Sequence, residues 1–140
     1  MRFMMFMYPE DGADRAGAVP SAEDVAQMTK YNEELARAGV LLALDGLHPS
    51  NKGARVSFPG GKPKVTDGPF SESKEVIGGY WMIQCKSREE AIEWAKRIPP
   101  LGAKFVEVRQ VFEMSDFPVD VQAAAENPTV EASVKSSMRS

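Results

Sequence analysis

Two β-α-β patterns separated by a hairpin restrict the fold of this chain more than any other feature of its sequence. Residues 2–8 (RFMMFMY) form an apolar run that predicts the first strand. Apolar residues at helical spacing then predict a helix from about 22 to 38, begun by the N-cap Ser21 and ended by Gly39. The apolar residues 40–44 predict a second strand directly after this helix.

The second half of the chain repeats the pattern. Residues 76–85 are rich in aromatic and β-branched side chains, which predicts a strand. Ser87 opens a capping box, and the apolar stripe that follows predicts a helix that ends at Pro99. Residues 105–112 alternate strictly between two faces, which predicts a half-buried last strand.

These elements predict an α+β fold, a ferredoxin-like antiparallel sheet with two helices on one face. Residues 55–58 and 62–66 add a hairpin between the halves. The other sheet face then exposes apolar residues, so we expect two sheets to pair in a homodimer, a dimeric α+β barrel. We assign residues 1–117 to this domain and 118–140, which show no apolar period, to a tail that is mobile or docked on the partner subunit.

Composition excludes several classes of protein. The 140 residues suit one domain, and a net charge of -3 gives no general attraction to nucleic acid or anionic lipid. No apolar stretch is long enough to span a membrane and no signal-peptide pattern is present, so we expect a cytoplasmic protein. One cysteine and one histidine exclude a disulfide framework and a zinc site built from several such ligands. No cofactor-binding fingerprint occurs, and we therefore expect no cofactor.

His48, the one histidine, is the leading candidate for acid-base chemistry. It follows the second predicted strand, where a side chain can face a cleft, and histidine is the residue type that titrates near neutral pH. Asp67, at the end of the hairpin, is the expected orienting carboxylate, and Asp45 is a local alternative. The structural alternative is that His48 hydrogen-bonds its own loop and Asp67 caps its own turn.

Four further residues are candidates for substrate binding. Arg55 is suited to clamp a carboxylate in a bidentate contact, or else pairs with Asp67 or Glu75. Tyr31 and Trp81 either line a pocket for an aromatic substrate or fill the core. Glu75 completes the set, and together these residues predict a small anionic or aromatic ligand.

A cluster of carboxylates around residues 67–75 raises the question of a metal site. Asp67, Glu72 and Glu75 offer the oxygen ligands that Mg²⁺ and Mn²⁺ prefer, but no histidine supports them and no ordered calcium-loop pattern is present. We therefore assign no metal. In the structural alternative, Ser71 or Ser73 caps a short turn and Glu75 pairs with a basic neighbour.

Several segments together resemble one known family. They are DGLHPS (45–50), GARV (53–56), VTDGPFSESKE (65–75), GGYW (78–81), EAIEWA (90–95) and VEVRQVFE (106–113). The chain resembles the YciI-related family, in particular its DGPF-containing branch, over about residues 1–117. The resemblance implies a dimeric α+β barrel. Shorter members carry a His-Asp pair with the histidine on the first helix, and because this chain has no histidine there, that pair is not carried over.

The predictions support one main function hypothesis and two alternatives. The main hypothesis is a small-molecule-binding dimer with cofactor-free acid/base chemistry, of isomerase or lyase type, in which Asp67 orients His48. The first alternative is a non-catalytic ligand-sensing or regulatory module. A link to sigma-factor regulation enters through the resemblance, because DGPF relatives often occur beside extracytoplasmic-function sigma factors. The second alternative is a structural dimer without a functional pocket.

Overall fold

The computed structural model describes residues 1–70 and 75–139. Its strands and helices follow in the order β1 (Arg2–Pro9), α1 (Ala22–Arg37), β2 (Leu41–Gly46), β3 (Ala54–Ser57), β4 (Lys64–Asp67), β5 (Gly79–Gln84), α2 (Arg88–Lys96), β6 (Ala103–Gln110), α3 (Val119–Ala125) and α4 (Pro128–Arg139). Short 3-10 turns occupy residues 50–52, 59–61 and 114–116. Within the described ranges, no helix has the length and apolar character needed to cross a membrane.

Four strands form one antiparallel sheet in the order β2-β5-β1-β6, and β3 pairs with β4 in a separate hairpin. The apolar strand β1 is central, so that Met4 lies between Met82 of β5 and Arg109 of β6. This strand order, with a helix after β1 and after β5, is that of a ferredoxin-like fold. The α+β class predicted from the sequence is confirmed.

Local sequence signals determine where the helices begin and end. The side chain of Ser21 accepts a hydrogen bond from the backbone N–H of Asp24 at 3.1 Å, and Ser87 accepts one from Glu90 at the same distance. Each bond satisfies a backbone donor that the first helical turn leaves without a partner. Gly39 follows α1 with a φ of 74°, a conformation that glycine adopts with little strain.

Both α1 and α2 pack on the same face of the sheet. Phe3, Met5 and Ile83 lie on this face and are fully buried. Cys85 also belongs to this core, and its burial raises the pKa of the thiol. The helices and the segments that follow them contribute Tyr31, Leu35, Val40, Ala91 and Ile98. Burial of this apolar surface is the main force that holds the helices on the sheet.

The tail contains the helices α3 and α4, which no periodicity in the sequence had indicated. Val130 and Val134 of α4 are spaced by one helical turn, and Asn127 caps the helix by accepting a hydrogen bond from the N–H of Val130 at 3.1 Å. This apolar stripe is short and interrupted by alanine and serine, so the sequence analysis did not detect a period. Docking of the tail on a partner subunit stays a prediction.

The turn after β4 packs tightly against the 3-10 turn that follows β2. The backbone N–H of Gly68 donates to the carbonyl of Gly53 at 2.9 Å, and that of Phe70 donates to the hydroxyl of Ser50 at 2.8 Å. A Cβ atom on Gly68 would lie 1.7 Å from the backbone oxygen of Ser50. A side chain at this position therefore requires the two turns to move apart.

The Gly68→Ala substitution is expected to lower the free energy of unfolding by about 2–3 kcal/mol, because the added methyl group overlaps backbone atoms. Urea unfolding measures this change. Gly46→Ala is the matched control, since a Cβ atom there meets nothing within 4 Å, and it should change stability by less than about 0.5 kcal/mol. Equal effects of the two substitutions would contradict the close approach of the two turns.

Candidate functional site

A cavity of about 720 Å³ lies between α1, the loop of residues 10–20, the end of β2 and the segment 76–78. Its size is that of a small-molecule site. Apolar side chains such as Met7, Met28 and Ile77 form much of the wall. The polar side chains that reach it include Asp14, Arg15, Asp24, Thr29, Asn32 and His48.

One face of α1 forms a wall of this cavity. Val25, Met28, Thr29 and Asn32 are spaced by three, four and seven positions, so they lie on one side of the helix. Tyr31, which directly precedes Asn32, lies in the core instead. The amphipathic pattern of α1 thus places one face on the sheet and an adjacent face on the cavity.

His48 lies on the wall of the cavity, just beyond the end of β2, and it is exposed. The backbone N–H of the preceding residue, Leu47, donates to the carbonyl of Gly78 at 2.9 Å. This bond extends the pairing of β2 with β5 and fixes the position at which the loop leaves the sheet. The sequence prediction that His48 stands at a strand end beside a cleft agrees with this placement.

Asp67 and Asp45, the two predicted carboxylate partners, lie elsewhere. Asp67 is exposed on the hairpin and is not a lining residue of the cavity. Asp45 accepts a hydrogen bond from the hydroxyl of Tyr80 at 2.8 Å, which raises the pKa of Tyr80. Within residues 1–70 and 75–139, no hydrogen bond joins His48 to either carboxylate. The role of Asp67 as orienting residue stays a prediction.

Arg55 and Asp67 lie on opposite faces of the hairpin. In the register of the two strands, Ala54 is opposite Asp67 and Arg55 is opposite Thr66, and successive side chains of a strand alternate between faces. The guanidinium of Arg55 lies 4.0 Å from the centre of the Phe70 ring, a cation-π contact. Neither Arg55 nor Phe70 lines the cavity, and the role of Arg55 as a substrate clamp stays a prediction.

Glu75 is exposed and directly precedes the segment 76–78 that lines the cavity. The pKa of Tyr8 is raised by burial first and then by the charges of Glu107 and Glu75. Binding of a substrate by Glu75 is not tested by these contacts and stays a prediction. Glu72, Ser71 and Ser73, the other members of the predicted carboxylate-hydroxyl cluster, lie outside the described residues.

Tyr31 and Trp81 form a contact pair in the core. Their rings are perpendicular with centres 5.9 Å apart, and the Tyr31 hydroxyl donates to the backbone oxygen of Trp94 at 2.8 Å. Burial raises the pKa of Tyr31 well above its usual value. Trp81 reaches the cavity wall indirectly, because its indole N–H donates to the side-chain oxygen of Asn32 at 2.8 Å. Direct contact of either aromatic residue with a substrate stays a prediction.

Ser50 connects three segments around the cavity, a role that the sequence analysis did not detect. Its backbone N–H donates to a carboxylate oxygen of Asp14 at 2.6 Å, and its hydroxyl donates to the other oxygen. The same hydroxyl accepts from the N–H of Phe70. Ser50 is 7% exposed, and these bonds join the loop 10–20 to the two packed turns. The buried hydroxyl is therefore fully satisfied.

Acidic side chains outnumber basic ones on the wall of the cavity. Glu10, Asp11, Asp14 and Asp24 contribute carboxylates, and Arg15 is the basic side chain among the lining residues that the structure describes. Asp11 is paired with Lys104 at 3.2 Å, which leaves three carboxylates against one guanidinium. In the described part of the chain, no three His, Cys, Asp or Glu side chains are grouped as a metal site. The wall therefore carries a negative field that disfavours an anion.

The fold and the cavity define a ferredoxin-like α+β protein with a pocket beside its first helix. Residues 1–115 match the family model of the YCII-related domain, and the chain belongs to this family. It is 25% identical over 123 residues to the uncharacterized protein R00369 of Rhizobium meliloti (strain 1021), which covers 84% of this chain and 99% of that protein. The family predicted from the sequence segments is thus confirmed.

Among solved structures, the chain is similar to 5-chloro-2-hydroxyhydroquinone dehydrochlorinase (TftG) from Burkholderia phenoliruptrix AC1100, in its complex with 2,5-dihydroxybenzoquinone. The TM-score is 0.45 and the sequence identity is 12%. The match covers 84% of this chain and 100% of that chain.

The predicted pairing of His48 with Asp67 has a direct test in an NMR titration of the histidine ring, whose signals are unique because the chain has one histidine. If Asp67 stabilises the imidazolium, Asp67→Asn moves the titration midpoint to lower pH, because removal of a negative neighbour favours the neutral ring. Asp120→Asn, in the tail, is the control. No movement with Asp67→Asn, together with a movement for Asp24→Asn, would show that the partner is Asp24 on the cavity wall.

Proposed function

We propose that this protein binds a small molecule in the cavity beside α1 and transfers a proton to or from it through His48. The observation that carries the proposal is that the one histidine of the chain lies on the wall of a cavity of about 720 Å³. An imidazole exchanges protons near neutral pH, which suits general acid or general base catalysis. The chemistry is an isomerisation or an elimination of lyase type, and the absence of a cofactor-binding fingerprint from the sequence supports a cofactor-free step.

The charges and apolar side chains of the cavity wall favour a neutral aromatic ligand over an anionic one. Apart from Asp11, which is paired with Lys104, three carboxylates and one guanidinium line the cavity among the described residues, so a carboxylate ligand meets net repulsion. Arg55, the residue expected to hold an anion, contacts Phe70 instead. The apolar side chains of α1 and of the segment 76–78 offer the surface that an aromatic ring requires.

The His48→Gln substitution tests the catalytic part of the proposal. Glutamine keeps hydrogen-bonding capacity but does not titrate, so turnover of a compound identified by a ligand screen should fall by about 10²–10⁴-fold. The affinity for the same compound, measured by calorimetry, should change by less than about threefold, because the apolar wall is intact. Full turnover by His48→Gln would refute the assignment.

Ligand binding without any turnover by the wild-type protein would support the alternative, a ligand-sensing or regulatory module. In that case a partner protein, such as a sigma factor, should bind the liganded and unliganded forms with different affinities. The His48→Gln variant should then keep this difference. The screen and the turnover assay together separate the two functions.

We also propose that two copies of the chain pair through the sheet face that is turned away from the helices. Alternation along β1 directs Met4, Phe6 and Tyr8 to this face, opposite to the buried Phe3 and Met5. Met82 of β5 and Phe105 of β6 lie on the same face, and Tyr8 stacks on Phe105 with ring centres 4.6 Å apart. Phe105 is 37% exposed. Arg109 and Glu107 share this face, opposite Met4 and Phe6, and pair with each other at 3.4 Å. A sheet face with apolar side chains and paired charges is suited to an interface between subunits.

The Met82→Lys substitution is expected to disrupt this dimer, because it adds an unpaired charge beside Met4 at the proposed interface. Analytical ultracentrifugation should give the wild-type protein twice the 15.4 kDa mass of one chain and the variant a single chain mass. Val65→Lys is the control, since Val65 is an exposed apolar residue of the hairpin, outside the four-stranded sheet. A wild-type protein with the mass of one chain would refute the proposal.

A further inference from the structure

The side-chain amide of Asn32 has an orientation that the fold itself determines. The indole N–H of Trp81 is a donor with no accepting capacity, and it lies 2.8 Å from Oδ1 of Asn32. The reversed amide would place N–H groups against an N–H group, so only the observed orientation makes a hydrogen bond. The oxygen of Asn32 is therefore occupied, and the nitrogen Nδ2 carries the remaining donors.

Nδ2 of Asn32 makes no hydrogen bond to the described residues. Among the described residues, no buried side-chain nitrogen or oxygen lacks a hydrogen-bond partner, so Nδ2, which has none, is not buried. Asn32 is itself a lining residue of the cavity, beside Thr29 and Met28 on the same face of α1. The N–H groups of Nδ2 are therefore accessible on a residue that lines the cavity.

Trp81 holds this amide on a rigid support. The indole is 5% exposed and lies edge-to-face with the ring of Tyr31, which is itself anchored to the backbone of Trp94 by its hydroxyl. The amide is therefore positioned before any ligand arrives, so binding does not have to order it. A donor that is fixed in an apolar wall discriminates strongly between ligands that can and cannot accept a hydrogen bond.

We propose that Asn32 is a specificity-determining residue that donates a hydrogen bond to a carbonyl oxygen of a neutral ligand. This inference rests on the proposed small-molecule site and adds the ligand class that it selects. An anionic acceptor such as a carboxylate satisfies the same N–H groups but meets the excess negative charge of Glu10, Asp14 and Asp24 on the wall. A neutral hydrocarbon avoids that repulsion but leaves the amide without its partner.

Acetophenone and isopropylbenzene form a matched pair of probes, because they share one heavy-atom skeleton and differ in the carbonyl oxygen. Asn32→Asp is the informative variant, since its carboxylate keeps an acceptor for Trp81 and removes the donors toward the cavity. Asn127→Asp introduces the same charge and keeps the same kind of acceptor at the cap of α4, away from the cavity. Binding is followed in the isotope-labelled protein through the ring signals of His48 and the indole N–H signal of Trp81.

Asn32→Asp should weaken acetophenone binding by about fivefold or more and change isopropylbenzene binding by less than about twofold. Asn127→Asp should change neither, and benzoate should bind the wild-type protein more weakly than acetophenone. Retention of the Trp81 indole signal in Asn32→Asp shows that the core is intact.

Equal weakening of both neutral probes by Asn32→Asp, or no weakening of either, would overturn the role of Asn32 while the cavity remained a small-molecule site. Absence of signal changes at His48 and Trp81 with every probe in the wild-type protein would overturn both the proposed function and this inference. The two failures are therefore distinguishable within one set of titrations.

Discussion

The packing of α1 on β5 through Tyr31 and Trp81 is the contact on which the core and the cavity both depend. It buries two large rings against each other and ties α1 to the segment of Trp94. Because the adjacent face of α1 then forms a cavity wall, the same contact that stabilises the fold also orients Asn32. Stability and recognition are linked here by neighbouring residues of one helix.

Hydrogen bonds of Ser50 join the loops around the cavity that lie outside the four-stranded sheet. Ser50 binds Asp14 of the loop 10–20 and also receives the N–H of Phe70, so three segments distant in sequence are held by one small side chain. The close approach of Gly68 to the same residue leaves no room for a Cβ atom. A polar network that is fully satisfied in a buried position specifies one arrangement of loops more strongly than apolar contacts alone.

Most of the fold could be predicted from the sequence, whereas much of the site could not. Strands, helices and caps follow from local periodicity and from residues such as Ser21 and Ser87, and the structure confirms them. Asn32 and Asp14 gain their roles from Trp81 and Ser50, which are distant in sequence, and no local pattern reports such contacts. Arg55 and Asp67 lie on opposite faces because of the register of the hairpin. A register shift of one residue would place both side chains on the same face.

The pairing of Gly46 with Gly79 has a consequence for how this fold diversifies. The chain leaves the sheet at Gly46 and returns to it at Gly79, and these two residues lie side by side. The segment between them therefore begins and ends at the same end of the β2-β5 pair. A segment with adjacent ends can lengthen, shorten or change sequence during evolution without disturbing the strands around it. New side chains can therefore enter the cavity wall from this segment, which already contributes His48 and Ile77 to it, while the pairing of β2 with β5 stays the same.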